Sequence, residues 1–292
     1  MSLIPRDFSD RIAFFVMLGA IHLITFFELL VILPYIDQDR TKTYWLHFTI
    51  GMCFYFDIMS NIGFILTIDT TSGSVIMPSV LKLGWRFCST CEANAPPRSH
   101  HCWMCNKCIL KRDHHCTFTG NCIGFSNQRY FLTFILHLTC AAIYCNYLNM
   151  DYTWEVLGGF NFKSVITMFV PLVAWMFGFA ATYGFFVAFV SALCVIGCLL
   201  LSTFSVYHVN NLVHGQTTSE KTHKVHDYDL GLVGNIREVF GVKWYVAWVS
   251  PWISSPLPGD GVSFLTKQQH DREGHVIICP MKTAFDPQQN LF

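Results

Sequence analysis

Four stretches of this chain are apolar for long enough to cross a lipid bilayer, and they decide most of what it can fold into. A spanning helix needs about 20 mostly apolar residues. Residues 12–33, closing at Pro34, meet that length, as do residues 44–68 and 130–150. A longer apolar region runs over Val165–Val209, broken by Pro171 and small residues. Composition agrees, because a chain with 52% hydrophobic and only 13% charged residues lies outside the soluble globular class. No internal repeat stands out on this reading. The expected fold is an all-α polytopic membrane protein with four transmembrane helices.

Charge sets the topology. The segment between the second and third apolar stretches carries Lys82, Arg86, Arg98, Lys107, Lys111, Arg112 and Arg129. The positive-inside rule places it in the cytosol, and Arg6 and Arg11 near the N-terminus agree after two crossings. A single further span at residues 183–209 keeps Lys221, Lys224, Arg237 and Lys243 cytosolic as well. Residues 165–181 are then an interfacial or re-entrant lumenal segment, and residues 210–292 form a cytosolic tail. Within the spans, His22, Glu28, Asp57, Asn61 and His137 are polar. Asp57 and Asn61 lie four apart and share a helix face. These groups read as interhelical hydrogen-bond partners, since an ion pathway needs more of them in line.

The cytosolic segment, residues 80–128, holds Cys88, Cys91, His101, Cys102, Cys105, Cys108, His114, His115, Cys116 and Cys122. Two tetrahedral zinc sites take eight ligands. Cys88-x2-Cys91 and Cys102-x2-Cys105 are metal-gripping knuckles. Adjacent residues of an extended segment face opposite ways, so His101 and Cys102 serve different metals. That alternation suggests Cys88, Cys91, His101 and Cys108 on one zinc, with Cys102, Cys105, His115 and Cys122 on the other. Spacing alone leaves the choice among His100, His101, His114 and His115 open. So short a segment has little core, so the metals would supply much of its fold. A RING-type cross-brace lacks its long central interval here. A disulfide framework fits poorly, because nothing at the N-terminus reads as a cleavable signal and CxxC pairs in a reducing compartment indicate metal. What remains is Cys116 beside His114 and Asp113, the raw material of an activated thiolate.

Asp113-His114-His115-Cys116, in a cysteine-rich loop between the second and third of four spans, resembles the DHHC protein S-acyltransferases, the palmitoyltransferases. Pro96-Pro97-Arg98-Ser99-His100-His101-Cys102 is similar to the family's Pro-x-Arg-x-x-His-Cys stretch. Asn121-Cys122-Ile123-Gly124 with Asn127, Thr217-Thr218-Ser219-Glu220 and Asn235 resemble three further motifs of the family. The resemblance implies the zinc pairing given above, with His101 and His115 as the histidine ligands. It also implies a mechanism. Cys116 attacks a fatty acyl-CoA, forms an acyl-enzyme and passes the acyl group, palmitoyl by expectation, to a cysteine of a target protein. His114 is the base and Asp113 orients its ring.

The acyl tail belongs between spans and the anionic CoA among basic residues at the cytosolic face. Lys111, Arg112, Arg129 and Arg98 are candidates for phosphate contact. Ala141, small and on the third span, is a candidate for setting chain length. Thr217, Thr218, Glu220 and Asn235 carry structural roles, with Asn235 anchoring the tail. Trp244–Trp252 has the aromatic content of an interfacial segment. The implied partners are acyl-CoA, membrane-proximal cysteines of proteins and the bilayer, with no nucleic acid. The implied location is an endomembrane of the Golgi or ER.

The sequence departs from the family pattern at Thr117 and Phe118, where proline and tryptophan follow the nucleophile. It departs also at Ala95, where the family has a basic residue, and at Asp69-Thr70-Thr71, where it has Asp-Pro-Gly. None of these removes a ligand or a catalytic atom. A smaller aromatic at Phe118 is expected to slow acylation or shift its chain-length preference. The alternative to an enzyme is a catalytically silent, zinc-dependent membrane scaffold.

Overall fold

The computed structural model describes residues 3–273, so the part of the expected tail beyond Glu273 lies outside the described residues. Among the described residues, four helices are long and apolar enough to cross a membrane: α1 (Phe8–Ile36), α2 (Lys42–Thr67), α3 (Gln128–Val156) and α6 (Thr182–Val213). Each is longer than the apolar stretch that marks it, because polar turns at its ends continue the helix. Between α3 and α6 lie two short helices, α4 (Phe162–Phe169) and α5 (Pro171–Met176). The Asn161 side chain caps α4 by accepting from the Ser164 N–H, and Pro171 opens α5, where its missing N–H costs nothing. After α6 come α7 (Thr218–Thr222), α8 (Gly231–Phe240) and α9 (Lys267–Glu273).

One expected boundary moves. Pro34 does not close the first helix, which continues to Ile36. A π-helical turn, Glu28–Ile32, comes directly before it. That turn already breaks the i→i−4 ladder where Pro34 offers no N–H, so the proline is absorbed rather than terminating.

The chain forms two compact units. One comprises Phe15–Ile58 and Ile135–Ser205. Its core is Phe27, Ile32, Val187, Val190 and Cys194, with Leu23, Leu148 and Tyr152 packed against them. Small polar pairs tie its helices: Thr153 to Ser191 at 2.7 Å and Thr139 to Ser205 at 2.8 Å. His22 meets the Tyr55 hydroxyl at 3.1 Å, and Asp57 pairs with His137. Such contacts are how helices associate where lipid removes the hydrophobic drive. Outward-facing Phe15, Phe26, Leu30, Leu199, Leu200 and Phe204 are exposed. Apolar surface on that scale needs lipid, not water, around it.

The other unit comprises the chain to Phe14, Met59–Phe134 and the chain from Val206. It contains three antiparallel hairpins: β1–β2 (Arg86–Cys88, Ala93–Ala95), β3–β4 (His100–Cys102, Lys107–Ile109) and β5–β6 (His114–Cys116, Asn121–Ile123). Their first strands begin at Arg86, His100 and His114, fourteen residues apart each time. This is an internal repeat after all, hidden because few residues other than cysteine and histidine recur in it. The segment from Val242 packs back on the start of α3 and the last turns of α2. Arg129 donates to the Ser255 and Ile253 carbonyls and lies over the Tyr130 ring, and Trp252 donates to Ser60 Oγ at 3.2 Å. Gly241, at φ +79°, passes so close to the Ser255 and Pro256 carbonyls that a Cβ would fall within 2.6 Å of both oxygens.

Candidate active site and metal centre

Hairpin register assembles the ligands. In β3–β4, His101 pairs with Cys108; in β5–β6, His115 pairs with Cys122. Each pair presents its side chains to one face, while Cys102, next to His101, points to the other. Cys88, Cys91, His101 and Cys108 converge, and so do Cys102, Cys105, His115 and Cys122, with all ligand atoms of a group within 4.8 Å of one another. His101 Nδ1 lies 3.3 Å from Cys91 Sγ and 3.7 Å from Cys88 Sγ. His115 Nδ1 lies 3.3, 3.6 and 3.7 Å from the sulfurs of Cys105, Cys122 and Cys102. A tetrahedral zinc with usual bond lengths separates its sulfur and nitrogen ligands by about 3.6 Å, so both groups fit that ion. His100 lies in neither group and faces Arg86, 3.3 Å from its guanidinium.

The third hairpin repeats the knuckle without its second cysteine. In the first two, a left-handed residue follows the second cysteine: Glu92 after Cys91 and Asn106 after Cys105, both at φ +49°. In the third, Gly120 holds that place at φ +59°, Thr119 stands where the second cysteine would be, and Cys116 stands at the first. A knuckle turns backbone amides toward its sulfur. Here the Thr119 amide and hydroxyl both donate to the Cys116 carbonyl, at 3.1 and 3.4 Å, and lie close enough to the thiol to favour its thiolate. The same fold element that elsewhere presents a cysteine to a group able to hold a metal here presents a buried cysteine outside both of those groups.

His114 completes the arrangement. Its Nδ1 lies 2.5 Å from Asp113 Oδ2, and the ring also hydrogen-bonds Cys116. Asp113 is buried and anchored from α7, accepting from the Thr218 N–H at 2.8 Å and the Thr218 hydroxyl at 3.1 Å. Burial disfavours the Cys116 thiolate, but His114 and Thr119 outweigh it and hold the thiol below its ordinary value. Burial likewise disfavours charge on His114, yet Asp113 and Cys116 push the ring up to about 9. Both shifts favour the thiolate–imidazolium form of the pair over the neutral one.

The Thr-Thr-x-Glu stretch is placed by a buried ion pair. Arg98 Nε and an Arg98 terminal nitrogen donate to the two oxygens of Glu220 at 2.6 and 2.7 Å, and the other bond of that nitrogen goes to the Gly215 carbonyl at 2.9 Å. Glu220 also closes a capping box with Thr217, which starts α7 and so aims Thr218 at Asp113. Asn235 donates to the Val213 carbonyl and Asp229, both at 2.8 Å, and accepts from the Leu230 N–H at 2.9 Å, pinning α8 to the end of α6.

The basic candidates part company. Arg98 and Arg129 are buried: Arg98 gives Nε and a terminal nitrogen to interior acceptors and Arg129 its two terminal nitrogens, so both charges sit in the interior rather than at the surface, with Arg129 Nε left buried and, among the described residues, unbonded. Lys111 is buried too, and burial followed by the Arg98 charge lowers its ammonium to about 8. Arg112 is half-buried, the least enclosed of the four, although its Nε is itself buried without a hydrogen-bond partner among the described residues. Ala141 lies half-buried on α3, within the helical unit. Phe118 is exposed. Sequence reasoning missed four residues here. Thr119 and its glycine were legible in the fourteen-residue spacing. His208, whose Nδ1 lies 3.8 Å from Asp113 Oδ2 and whose ring packs on His114, carried no local signal, nor did Asp10, which meets His115 Nε2 at 2.9 Å.

Comparison with known proteins places this geometry in a family. The DHHC palmitoyltransferase family model matches residues 81–225. The chain is 37% identical to probable palmitoyltransferase ZDHHC24 of Danio rerio over 236 residues, covering 78% of this chain and 80% of that protein. It is 35% identical to the Homo sapiens protein of the same name, covering 72% and 75%. Palmitoyltransferase ZDHHC15 of Homo sapiens is 29% identical over 66% of this chain and 53% of its own length. The chain belongs to the DHHC palmitoyltransferase family.

Proposed function

We propose that Cys116 is the residue through which this protein S-palmitoyltransferase moves its acyl group, with His114 and Asp113 as proton carrier and orienter. The observation that supports it is one buried line of contacts, Thr218 to Asp113 to His114 to Cys116. The Cys116 thiolate adds to the thioester carbonyl of a fatty acyl-CoA. The C–S bond to CoA breaks, and the CoA thiolate leaves with the proton of His114. Neutral His114 then takes the proton of a target-protein cysteine. That thiolate attacks the Cys116 thioester, and Cys116 leaves as a thiolate beside a recharged His114, which closes the cycle. Asp113 keeps its charge throughout and stabilises the imidazolium.

Cys88, Cys91, His101 and Cys108 would hold one structural zinc, and Cys102, Cys105, His115 and Cys122 a second. Ions held there would neutralise the thiolates and cross-link the hairpins, leaving acyl transfer to Cys116. Acyl-CoA is the co-substrate and Arg112 the basic residue best placed for its phosphates. Protein substrates present cysteines near the membrane. The basic loop and tail support a cytosolic site with both termini on that side, in an endomembrane. The Ala141 side chain, small and half-buried, supports room for an acyl chain of sixteen carbons or more.

Purified protein incubated with palmitoyl-CoA is expected to carry a hydroxylamine-labile acyl adduct on Cys116. The adduct should vanish in Cys116→Ala with metal content unchanged. A folded, metal-loaded wild type that never forms it would instead be the silent scaffold.

A further inference from the structure

The two Cys3His groups are alike in their ligands and unlike in what stands behind them. In both, the histidine turns Nδ1 to the sulfurs and leaves Nε2 pointing away. Behind His115 stands a carboxylate: Asp10 Oδ2 is 2.9 Å from Nε2, with both side chains nearly closed to solvent. Among the described residues nothing comparable stands behind His101. Its Nε2 is buried with no hydrogen-bond partner, and the ring lies edge-on to Trp103 at 4.6 Å between centroids.

Asp10 comes from the first turn of α1. Its approach is built. Pro5 lies against Gly120, whose left-handed turn leaves no room for a side chain, since a Cβ there would sit 2.4 Å from the Pro5 Cβ. Arg11 Nε reaches back to the Pro5 carbonyl at 3.4 Å. The segment ahead of the first span is thereby laid on the third hairpin, with Asp10 directed at the ligand ring.

A ligating histidine that donates its second N–H to a carboxylate is fixed in tautomer and orientation and becomes a stronger donor to the metal. Losing that partner typically costs 10- to 100-fold in metal affinity. We propose that Asp10 is the positioning residue of His115, and that it makes the Cys102, Cys105, His115 and Cys122 group the kinetically tight metal site and the Cys88, Cys91, His101 and Cys108 group the labile one. This rests on the reading of both groups as zinc sites. It gives the protein an ordered metal loss. The group that shares its hairpin with Cys116 keeps its ion while the outer group empties.

The test uses full-length protein in detergent micelles. Metal content is measured first, and a protein without two zinc ions per chain would sink the zinc reading itself. Two-zinc protein is then challenged with EDTA. Release is followed optically, and timed maleimide alkylation with peptide mass spectrometry assigns each phase to its cysteines. Cys88 and Cys91 are expected in the fast phase and Cys102 and Cys105 in the slow one. Asp10→Ala should accelerate the slow phase roughly 10- to 100-fold and leave the fast phase unchanged. Asp10→Asn, isosteric and able to accept but uncharged, should fall between, and it decides the matter if the alanine variant does not fold. A slow phase unchanged in Asp10→Asn and Asp10→Ala, both phases accelerated alike, or Cys102 and Cys105 released first would overturn the proposal.

Discussion

Glu220→Gln is expected to destabilise the protein and slow Cys116 acylation together, for one structural reason. Glu220 accepts from Arg98 at 2.6 and 2.7 Å and from the Thr217 N–H at 2.8 Å, all away from solvent. A glutamine keeps the shape and can keep the Thr217 bond, but it leaves the Arg98 charge buried and unpaired. Breaking one side of such a pair costs about 3–5 kcal/mol, and the retained bond puts this variant near the lower end. At about 2–4 °C per kcal/mol, the melting temperature should fall by roughly 6–10 °C. Acylation slows because Thr217 and Glu220 together start α7, and Thr218 on that turn holds Asp113. The acid limb of stability should change as well. Burial raises the Glu220 carboxyl, but the charge and hydrogen bonds of Arg98 outweigh it and hold it below its usual 4.5. A depressed carboxylate contributes stability that is complete above 4.5 and lost as pH falls through the folded value, so wild type should lose this contribution in acid and the glutamine variant should have none to lose. The assay is thermal unfolding in micelles from neutral pH to pH 4, alongside single-turnover acylation. The decisive control is Arg98→Gln combined with Glu220→Gln. If the double variant costs the sum of the two singles, the pair is uncoupled and the reasoning fails.

Thr218→Val removes the hydroxyl bond to Asp113 but keeps the amide bond, so acylation should fall about 10-fold with metal content unchanged; an unaltered rate would show that the amide alone fixes Asp113. Gly124→Ala should cost about 1–3 kcal/mol in thermal unfolding, because the added Cβ would meet the Leu110 carbonyl oxygen at 2.5 Å and the Ile109 side chain at 2.8 Å. Thr117→Pro with Phe118→Trp restores the usual family residues beside Cys116 and should raise the acylation rate or change acyl-chain preference; identical profiles would remove those positions from any account of selectivity.

How much of this was legible without coordinates depends on the range of the interaction. Spans and metal groups are local codes. Apolar length marks helices in lipid, and alternation along a strand parts His101 from Cys102, so two interleaved cysteine groups could be written from spacing, while the choice of His101 and His115 over His100 and His114 needed the family resemblance. The threefold hairpin repeat was present in the spacing of Cys88, Cys102 and Cys116 but obscured, because its third copy replaces a cysteine by Thr119.

The basic residues show the opposite case. Arg98 and Arg129 read as surface charge in a basic loop, and folding spends them on Glu220 and on the Ser255 and Ile253 carbonyls, more than a hundred residues away in the chain. Asp10 lies 105 residues from His115, and Thr218 the same distance from Asp113. By itself the sequence determined which side chains could carry the chemistry, since ligand type and spacing are properties of short segments. Only the tertiary structure decided which distant groups stand behind His114 and His115, because a buried hydrogen bond depends on where the backbone returns, and no local pattern records that.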